Sequence, residues 1–397
     1  MVRATKRLRI AQVSPLYESV PPKLYGGTER VVSYLTEALV KMGHEVTLYA
    51  SGDSSTKARL IPMSAKALRL DATSVDPNAD HVLLAEKVFQ GAGQFDIVHS
   101  HIDYGFFPLL RRMATPHVTT LHGRLDIPNL WDLYREFQDE PVVSISDRQR
   151  SPLKKANWLA TVHHGLPETL HKFQPKSGSY LAFLGRISPE KKIEDAIAVA
   201  RLAGVPLRIA AKVDKVDREY FEVIIKPQLR DGVEFIGEIA EGDKSDFLGN
   251  ALALLFMIDW PEPFGLAMIE SLACGTPVIA RDRGSVPEVI ENGKTGYVIN
   301  SIEDAVLAVK QVPYLRREDC RNSFEKRFSA TRMARDYIAV YERLIARAAT
   351  RNPRHHNSPQ LNGTTKPGWR GPERPRGQKR ELPESGEPAT PTHERHH

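Results

Sequence analysis

TERVVSYLTEALVKMGHEVTLYAS, residues 28–51, holds a helix, its stop and a returning strand in one short run. Val31, Val32, Leu35, Leu39 and Met42 recur at helical spacing and mark one apolar face. Gly43 ends that pattern, and EVTLYA then alternates as a strand should. On the N-terminal side, RLRIAQVSP (7–15) reads as an earlier strand, and YESVPPKLYGG (17–27) as a Pro-rich loop leading into the helix. The unit is therefore strand, helix, strand, and the whole chain can be read outward from it.

DIVHSHI (96–102), HVTTLHG (117–123), VVSISD (142–147) and LATVHHG (159–165) continue as strands that end in polar residues. KFQPKSGS (172–179) has the Pro, Gly and Ser content of a linker. A second alternation follows, with strands YLAFLGRI, PLRIAAKV, VEFIGEI, ALALLFM and TPVIARD separated by helical stretches such as EDAIAVARLAG and EPFGLAMIESLACG. Strands alternating with helices predict parallel sheets, whose ligands gather beyond the carboxyl ends of the strands. The expected fold class is α/β: two Rossmann-like parallel-sheet domains, residues 1–172 and 173–329, facing a central cleft. In TRMARDYIAVYERLIARAA, Met333, Tyr337, Val340, Tyr341, Leu344 and Ile345 fall at helical spacing, so a last helix is expected over 330–350.

The rest of the composition narrows the function classes. Hydrophobic residues make up 41% and charged residues 26% of 397, and no apolar run is long enough to span a bilayer. The opening MVRATKRLRIAQVS lacks the apolar stretch of a signal peptide, which predicts a cytoplasmic protein. Cys274 and Cys320 fit neither a metal spacing nor a disulfide framework. The net charge is +6, but residues 351–397 carry nine Lys/Arg against five Glu, so the folded part is close to neutral. A nucleic-acid partner is not expected, because phosphate-backbone binding needs a basic stripe on the folded surface. The final segment itself, rich in Pro, Gly and charge, is expected to be disordered, and its five scattered histidines to be solvated rather than metal-binding.

Three stretches carry chemistry. In WPEPFGLAMIESLACGTPVIA (260–280), Glu262 stands in a Pro-flanked loop and Glu270 inside the helix that follows, around Phe264, Gly265 and Leu266. A buried carboxylate needs partners and a helix N-terminus offers N–H groups to an anion, so a polar ligand is expected there. In LYGGTERVV, Gly26 and Gly27 let the backbone approach an anion, with Thr28 as the expected helix cap. In LGRISPEKK, Arg186 and Lys191 stand at the mouth of the second sheet's first strand and suit a diphosphate. A tight turn or a solvated face explains the last two stretches equally well when each is taken alone. Of the histidines, His99 is assigned to fold support and His101 is left open. Arg111 and Arg112, after the apolar FFPLL, form a small basic patch that suits either an ordinary helix face or weak peripheral contact with the inner membrane face.

Together the stretches resemble glycosyltransferase family 4, the retaining sugar transferases of GT-B fold. EPFGLAMIE has the family's Glu-x7-Glu form, GRISPEKK its Gly-Arg-x4-Lys segment, YGGTERVV its N-terminal glycine loop, and GTPVIARDRGSVPEVIENGKTGYVI the continuation after the glutamates. The resemblance spans about residues 8–347. It implies that Glu270 receives the ribose of a nucleotide-sugar and Glu262 the hydroxyls of its sugar. It further implies that Arg186 and Lys191 neutralise the leaving diphosphate, that Gly26 and Gly27 close on it from the other domain, and that His122 faces the donor sugar. Backbone amides around Phe264, Gly265 and Leu266 would hold the rest. By the same resemblance the terminal helix crosses back to the first domain. No Asp-x-Asp motif is present, and neither metal nor cofactor is expected.

The implied activity is transfer of a hexose from a UDP-sugar, with retention, in polysaccharide or glycoconjugate biosynthesis; the acceptor, whether sugar, glycan or lipid-linked, is not readable. A GT-B epimerase or hydrolase and a non-catalytic nucleotide-sugar sensor are the alternative classes. His163 and His164 stand where relatives often carry Asn before Gly, which leaves the inter-domain turn open.

Overall fold

The computed structural model describes residues 7–23 and 26–351. Leu24, Tyr25 and the segment beyond Arg351, with its expected disorder and five histidines, lie outside the described residues. Two sheets organise the chain. The first contains β1 (Arg9–Val13), β2 (Glu45–Ser51), β3 (Arg59–Ser64), β4 (Ile97–Ser100), β5 (His117–Thr120), β6 (Pro141–Ser144) and β7 (Asn157–Thr161), in the order β3-β2-β1-β4-β5-β6-β7. The second contains β8 (Tyr180–Ile187), β9 (Leu207–Val213), β10 (Val233–Gly237), β11 (Ala251–Phe256), β12 (Val278–Arg281) and β13 (Gly296–Ile299), in the order β10-β9-β8-β11-β12-β13. The strand pairs of both sheets are parallel.

The central strands are near-continuous apolar runs because helices cover both faces. Ile10, Ala11 and Val13 of β1 and Ala253, Leu254 and Leu255 of β11 have no exposed surface. Two strands escape a reading by pattern. β3 is a half-exposed edge strand containing Pro62, and a proline inside a run demotes it as a strand signal while being tolerated at an edge. β13, GYVI, is a four-residue edge strand that pairs only with β12.

The helix Gly27–Lys41 buries Val31, Val32, Leu35 and Leu39, while Met42, at its C-cap, is only partly buried. Its start differs from expectation. Gly26 is the N-cap, with φ 158°, and Thr28 lies within the first turn, where it caps nothing. A side chain at Gly26 would put Cβ 2.8 Å from Pro22 Cβ, so the close approach of the preceding loop fixes the helix start at glycine.

The terminal helix, Ala330–Arg351, packs on the first half of the molecule, against the helix Gly27–Lys41. Met333, Ala334, Tyr337, Val340 and Tyr341 are buried there. Its two tyrosines reach polar groups beneath the first sheet's apolar surface: Tyr337 Oη pairs with Thr120 Oγ1 at 2.9 Å, and Tyr341 Oη with His99 Nδ1 at 2.7 Å and Gln12 Nε2 at 3.1 Å. His99, with Thr120 Oγ1 on its other nitrogen at 2.7 Å, is a fully buried structural residue. Tyr341→Phe leaves His99 and Gln12 without this partner, and each buried polar group so stranded costs about 1–3 kcal/mol. Urea unfolding should show that loss; an unchanged midpoint would mean that the hydroxyl contributes nothing.

Among the described residues no helix is long and apolar enough to cross a membrane. Arg111 is paired with Glu136 at 2.9 Å and Asp139 at 2.6 Å, so the small basic patch carries its own counter-charge. Cys274 and Cys320 are free and buried, and burial pushes both thiols up to about 12.

Candidate active site

In each sheet the connections change direction on either side of one strand pair, β1 and β4 in the first, β8 and β11 in the second. Such reversals open a crevice at the carboxyl ends of the strands. Both crevices contribute to a single cavity of about 750 Å³, within the size range of small-molecule sites. The ten residues that the sequence assigns to catalysis and donor binding all line it: Gly26, Gly27 and His122 from the first half, and Arg186, Lys191, Glu262, Phe264, Gly265, Leu266 and Glu270 from the second.

Two helix N-termini meet this cavity. The helix beginning at Gly27 and the helix Leu266–Ala273 both have glycine at the N-cap, which supplies no side-chain acceptor for their first N–H groups. A Cβ at Gly27 would meet nothing within 4 Å, which leaves open space beside that backbone. Both ends favour negative charge. Arg186 reaches Glu190 at 2.8 Å, and Lys191 Nζ reaches Glu262 Oε2 at 2.5 Å. Trp260 Nε1 donates to the same Glu262 oxygen at 3.0 Å, and the Lys191 ammonium lies 4.8 Å from the Trp260 ring centre. Glu262 and Lys191 thus form one preassembled, mostly buried pair.

The loop carrying Glu262 is clamped from three sides. Ser285 N donates to Glu262 O at 3.0 Å, and Ser285 Oγ to Phe264 O at 2.7 Å. From the other half of the molecule, Ser146 Oγ donates to Pro263 O at 2.7 Å. Gly284, at φ 48°, presses its backbone so close that a Cβ would stand 2.1 Å from Glu262 O. Only glycine fits both that conformation and that approach.

Glu270 is almost fully buried and receives Lys244 Nζ at 2.7 Å. Lys244 also reaches Glu241 at 3.0 Å, and Glu241 reaches Arg30 of the first half at 2.6 Å. Burial pushes the Glu270 carboxyl up, but Lys244, His171 and Arg30 outweigh it and hold it below the ordinary range. His171, Glu241 and Glu270 offer ligand atoms within 4.8 Å of one another, the one such trio among the described residues. Both carboxylates are already engaged by ammonium or guanidinium groups, so a cation would have to displace them.

A chain of histidines lines the first half's wall. Gln12 Nε2 faces Tyr341 Oη, which turns Gln12 Oε1 toward His101 Nε2 at 2.8 Å. His101 Nε2 therefore carries the proton, and its Nδ1 accepts from His122 Nε2 at 2.9 Å. His164 stacks on His122 with ring centres 5.3 Å apart. Burial lowers His99, His101 and His164 well below the usual histidine value and His122 to about 3, so the chain is neutral. His101, left open by the sequence, belongs to the site; His99 does not line the cavity. Asp103, at φ 29°, accepts His122 N at 3.0 Å, and burial raises its carboxyl to about 6.

Arg30, Lys244, Glu241, Asp103 and Trp260 all line the cavity and were not singled out in the sequence. Trp260 adjoins the Glu262 motif and was within reach; the others have no local signal.

Residues 25–177 match the family model described as Glycosyltransferase Family 4, and residues 169–327 that described as Glycosyl transferases group 1. Over 399 aligned residues the chain is 24% identical to the glycogen synthase of Mycobacterium tuberculosis, covering 84% of this chain and 95% of the relative. It is 26% identical to the N-acetyl-alpha-D-glucosaminyl L-malate synthase of Bacillus anthracis, covering 80% and 93%. Anabaena HepE, solved in complex with UDP and glucose, shares the fold at a TM-score of 0.64 and 17% identity, covering 85% of this chain and all of that one.

Proposed function

The chain belongs to the family 4 glycosyltransferases and has their GT-B fold, and on that footing we propose that it transfers a hexose from a UDP-sugar to an acceptor hydroxyl, with retention and without a metal. The observation that carries this reading is the convergence of Arg186, Lys191, Glu262, Glu270, His122 and two uncapped helix N-termini on one cavity. UDP is favoured as the nucleotide because HepE, of the same fold, binds it.

In this reading Glu270 takes the ribose hydroxyls, which displace Lys244 from its oxygen. The diphosphate lies between the N-termini at Gly27 and Leu266, with Arg186 and Lys191 beside it. Glu262 takes hydroxyls of the sugar, and His122 stays neutral and hydrogen-bonds without adding charge. As the anomeric C–O bond breaks, its electron pair goes to the departing phosphate oxygen, where fixed cations and helix-end amides stabilise the growing charge. The acceptor oxygen bonds to the anomeric carbon on the same face, and its proton passes to that phosphate oxygen. The products are the glycoside and UDP. The same fixed positive groups are what make a divalent cation dispensable.

Calorimetric titration with UDP, GDP and ADP in EDTA tests this. UDP binds, and Glu270→Gln weakens it about 10- to 100-fold, the worth of hydrogen bonds to a charged acceptor. Binding of GDP or ADP in place of UDP would replace the donor assignment, whereas no binding to any nucleotide would remove the site assignment itself.

A further inference from the structure

The acceptor wall of the cleft has a charge balance of its own. Its cations are already committed to carboxylates: Arg69 to Glu18 at 3.1 Å and Arg124 to Asp126 at 2.7 Å and 2.8 Å. Nor does His81 add charge. Its Nδ1–H donates to Pro77 O at 2.7 Å, and its Nε2 accepts Leu16 N–H at 3.2 Å, a pattern that fits only the neutral ring. Two further carboxylates, Glu29 and Asp103, face the same cavity: Glu29 feels only Arg69, which Glu18 already engages, and Asp103 has no arginine or lysine of its own. Among the described residues this wall thus offers an anionic acceptor no uncommitted cation, and two acidic groups to repel it.

The donor half is arranged differently. There Lys191 and Lys244 are balanced by Glu262 and Glu270, the carboxylates assigned to sugar and ribose hydroxyls, while Arg186 pairs with Glu190, and helix N-termini add positive potential on top. On the acceptor side the helix end at Gly27 is assigned to the diphosphate, and the start of the helix Pro77–Gly91, whose Asn78 and His81 line the cavity, is already capped by Asp76, which accepts Asn78 N–H at 3.0 Å.

Two aromatic rings complete the wall. Tyr17 and Tyr104 line the cavity and remain 38% and 40% exposed. Tyr17 is backed by His81 at 4.9 Å between ring centres, and Tyr104 meets the edge of Tyr134 at 6.4 Å. Both rings are therefore held in place with surface to spare. The negative face of an aromatic ring suits the C–H face of a pyranose, and carboxylates beside it suit the hydroxyls at its rim.

We infer that the acceptor is an uncharged polyhydroxylated molecule, a sugar or the end of a glycan, that lies on Tyr17 and Tyr104 with hydroxyls toward Asp103 and Glu29. The inference rests on the transferase reading above and adds the acceptor class to it. Asp103 holds the acceptor through its hydroxyl hydrogen bond, and the bond made and broken is that of the transfer already described.

The test measures nucleotide release by the full chain from the UDP-sugar that binds best. It is run with water alone, with glucose, galactose, mannose, N-acetylglucosamine and maltotriose, and with glucose 6-phosphate, inositol 1-phosphate and malate. At least one neutral sugar should raise release tenfold or more above every anion. Tyr17→Ala and Tyr104→Ala should each raise the KM for that sugar at least tenfold with UDP affinity within twofold, and Tyr104→Phe should restore it. Equal or greater stimulation by an anion overturns the inference. So does slow release in water that no neutral sugar stimulates, a result that leaves the donor reading standing. Absence of both nucleotide binding and release would instead bring down the proposed function.

Discussion

Acidification from pH 7 to pH 5 removes a large part of this protein's stability. His99, His101 and His164 are buried, and burial, reinforced by neighbouring histidines, holds each well below 6.5 in the folded state. The unfolded chain takes up protons on these rings near 6.5 while the folded one does not. Their contribution is thus complete above pH 6.5 and is lost as pH falls from there toward the folded values. Each such ring is worth up to about 1.4 kcal/mol per pH unit, reached only well below 6.5; His122, held at about 3, behaves alike, so the four rings approach about 5–6 kcal/mol per unit, against a total stability of about 5–15 kcal/mol.

Asp103 works in the opposite sense. Its carboxyl is raised to about 6, so the folded state gains from protonation as pH falls through 6, which offsets about one histidine's share. Glu270, held low, matters only in the more acidic range below its unfolded value of 4.5. Urea midpoints at pH 7, 6 and 5 measure the slope. A flat profile over that range would mean that the histidine chain accepts protons in the folded state.

Lys191→Ala is expected to lower kcat about 10²- to 10³-fold, the usual consequence of removing one fixed group that stabilises developing charge. UDP affinity should fall far less, because the ground-state diphosphate keeps Arg186 and the two helix ends. Lys191→Arg should recover little. The ammonium is a compact charge seated between Glu262 and Trp260, and a planar guanidinium does not reproduce that geometry. The decisive comparison is single-turnover rate against calorimetric UDP affinity. An undiminished rate with weakened UDP binding would reassign Lys191 from leaving-group stabilisation to ground-state binding.

The donor side of the cavity was legible in the sequence because its groups come in short contiguous runs. Arg186 and Lys191 are five residues apart, and Glu262 to Gly265 lies in one loop that leads into the helix at Leu266. Local spacing carries that information. Arg30, Glu241, Lys244 and Glu270 form their cluster only after two sheets and the linker come together, so no window of sequence contains it. The sheets were legible where strands are buried on both faces and illegible at the edges, where β3 holds a proline and β13 is four residues long. Thr28 was assigned as the cap because Ser and Thr favour that place. The approach of Pro22 to Gly26, a contact invisible to propensity, decides otherwise.

The terminal helix closes the first half with the last described residues of the chain. During synthesis, the strands β1 to β7 therefore emerge long before the tyrosines that satisfy Gln12 and His99, and the ribosome must deliver the entire second half first. The same order governs recombination with relatives. A hybrid that exchanges only the nucleotide-binding half needs two crossovers, one in the linker near residue 172 and one just before Ala330, because a single junction would pair one parent's sheet with the other parent's helix.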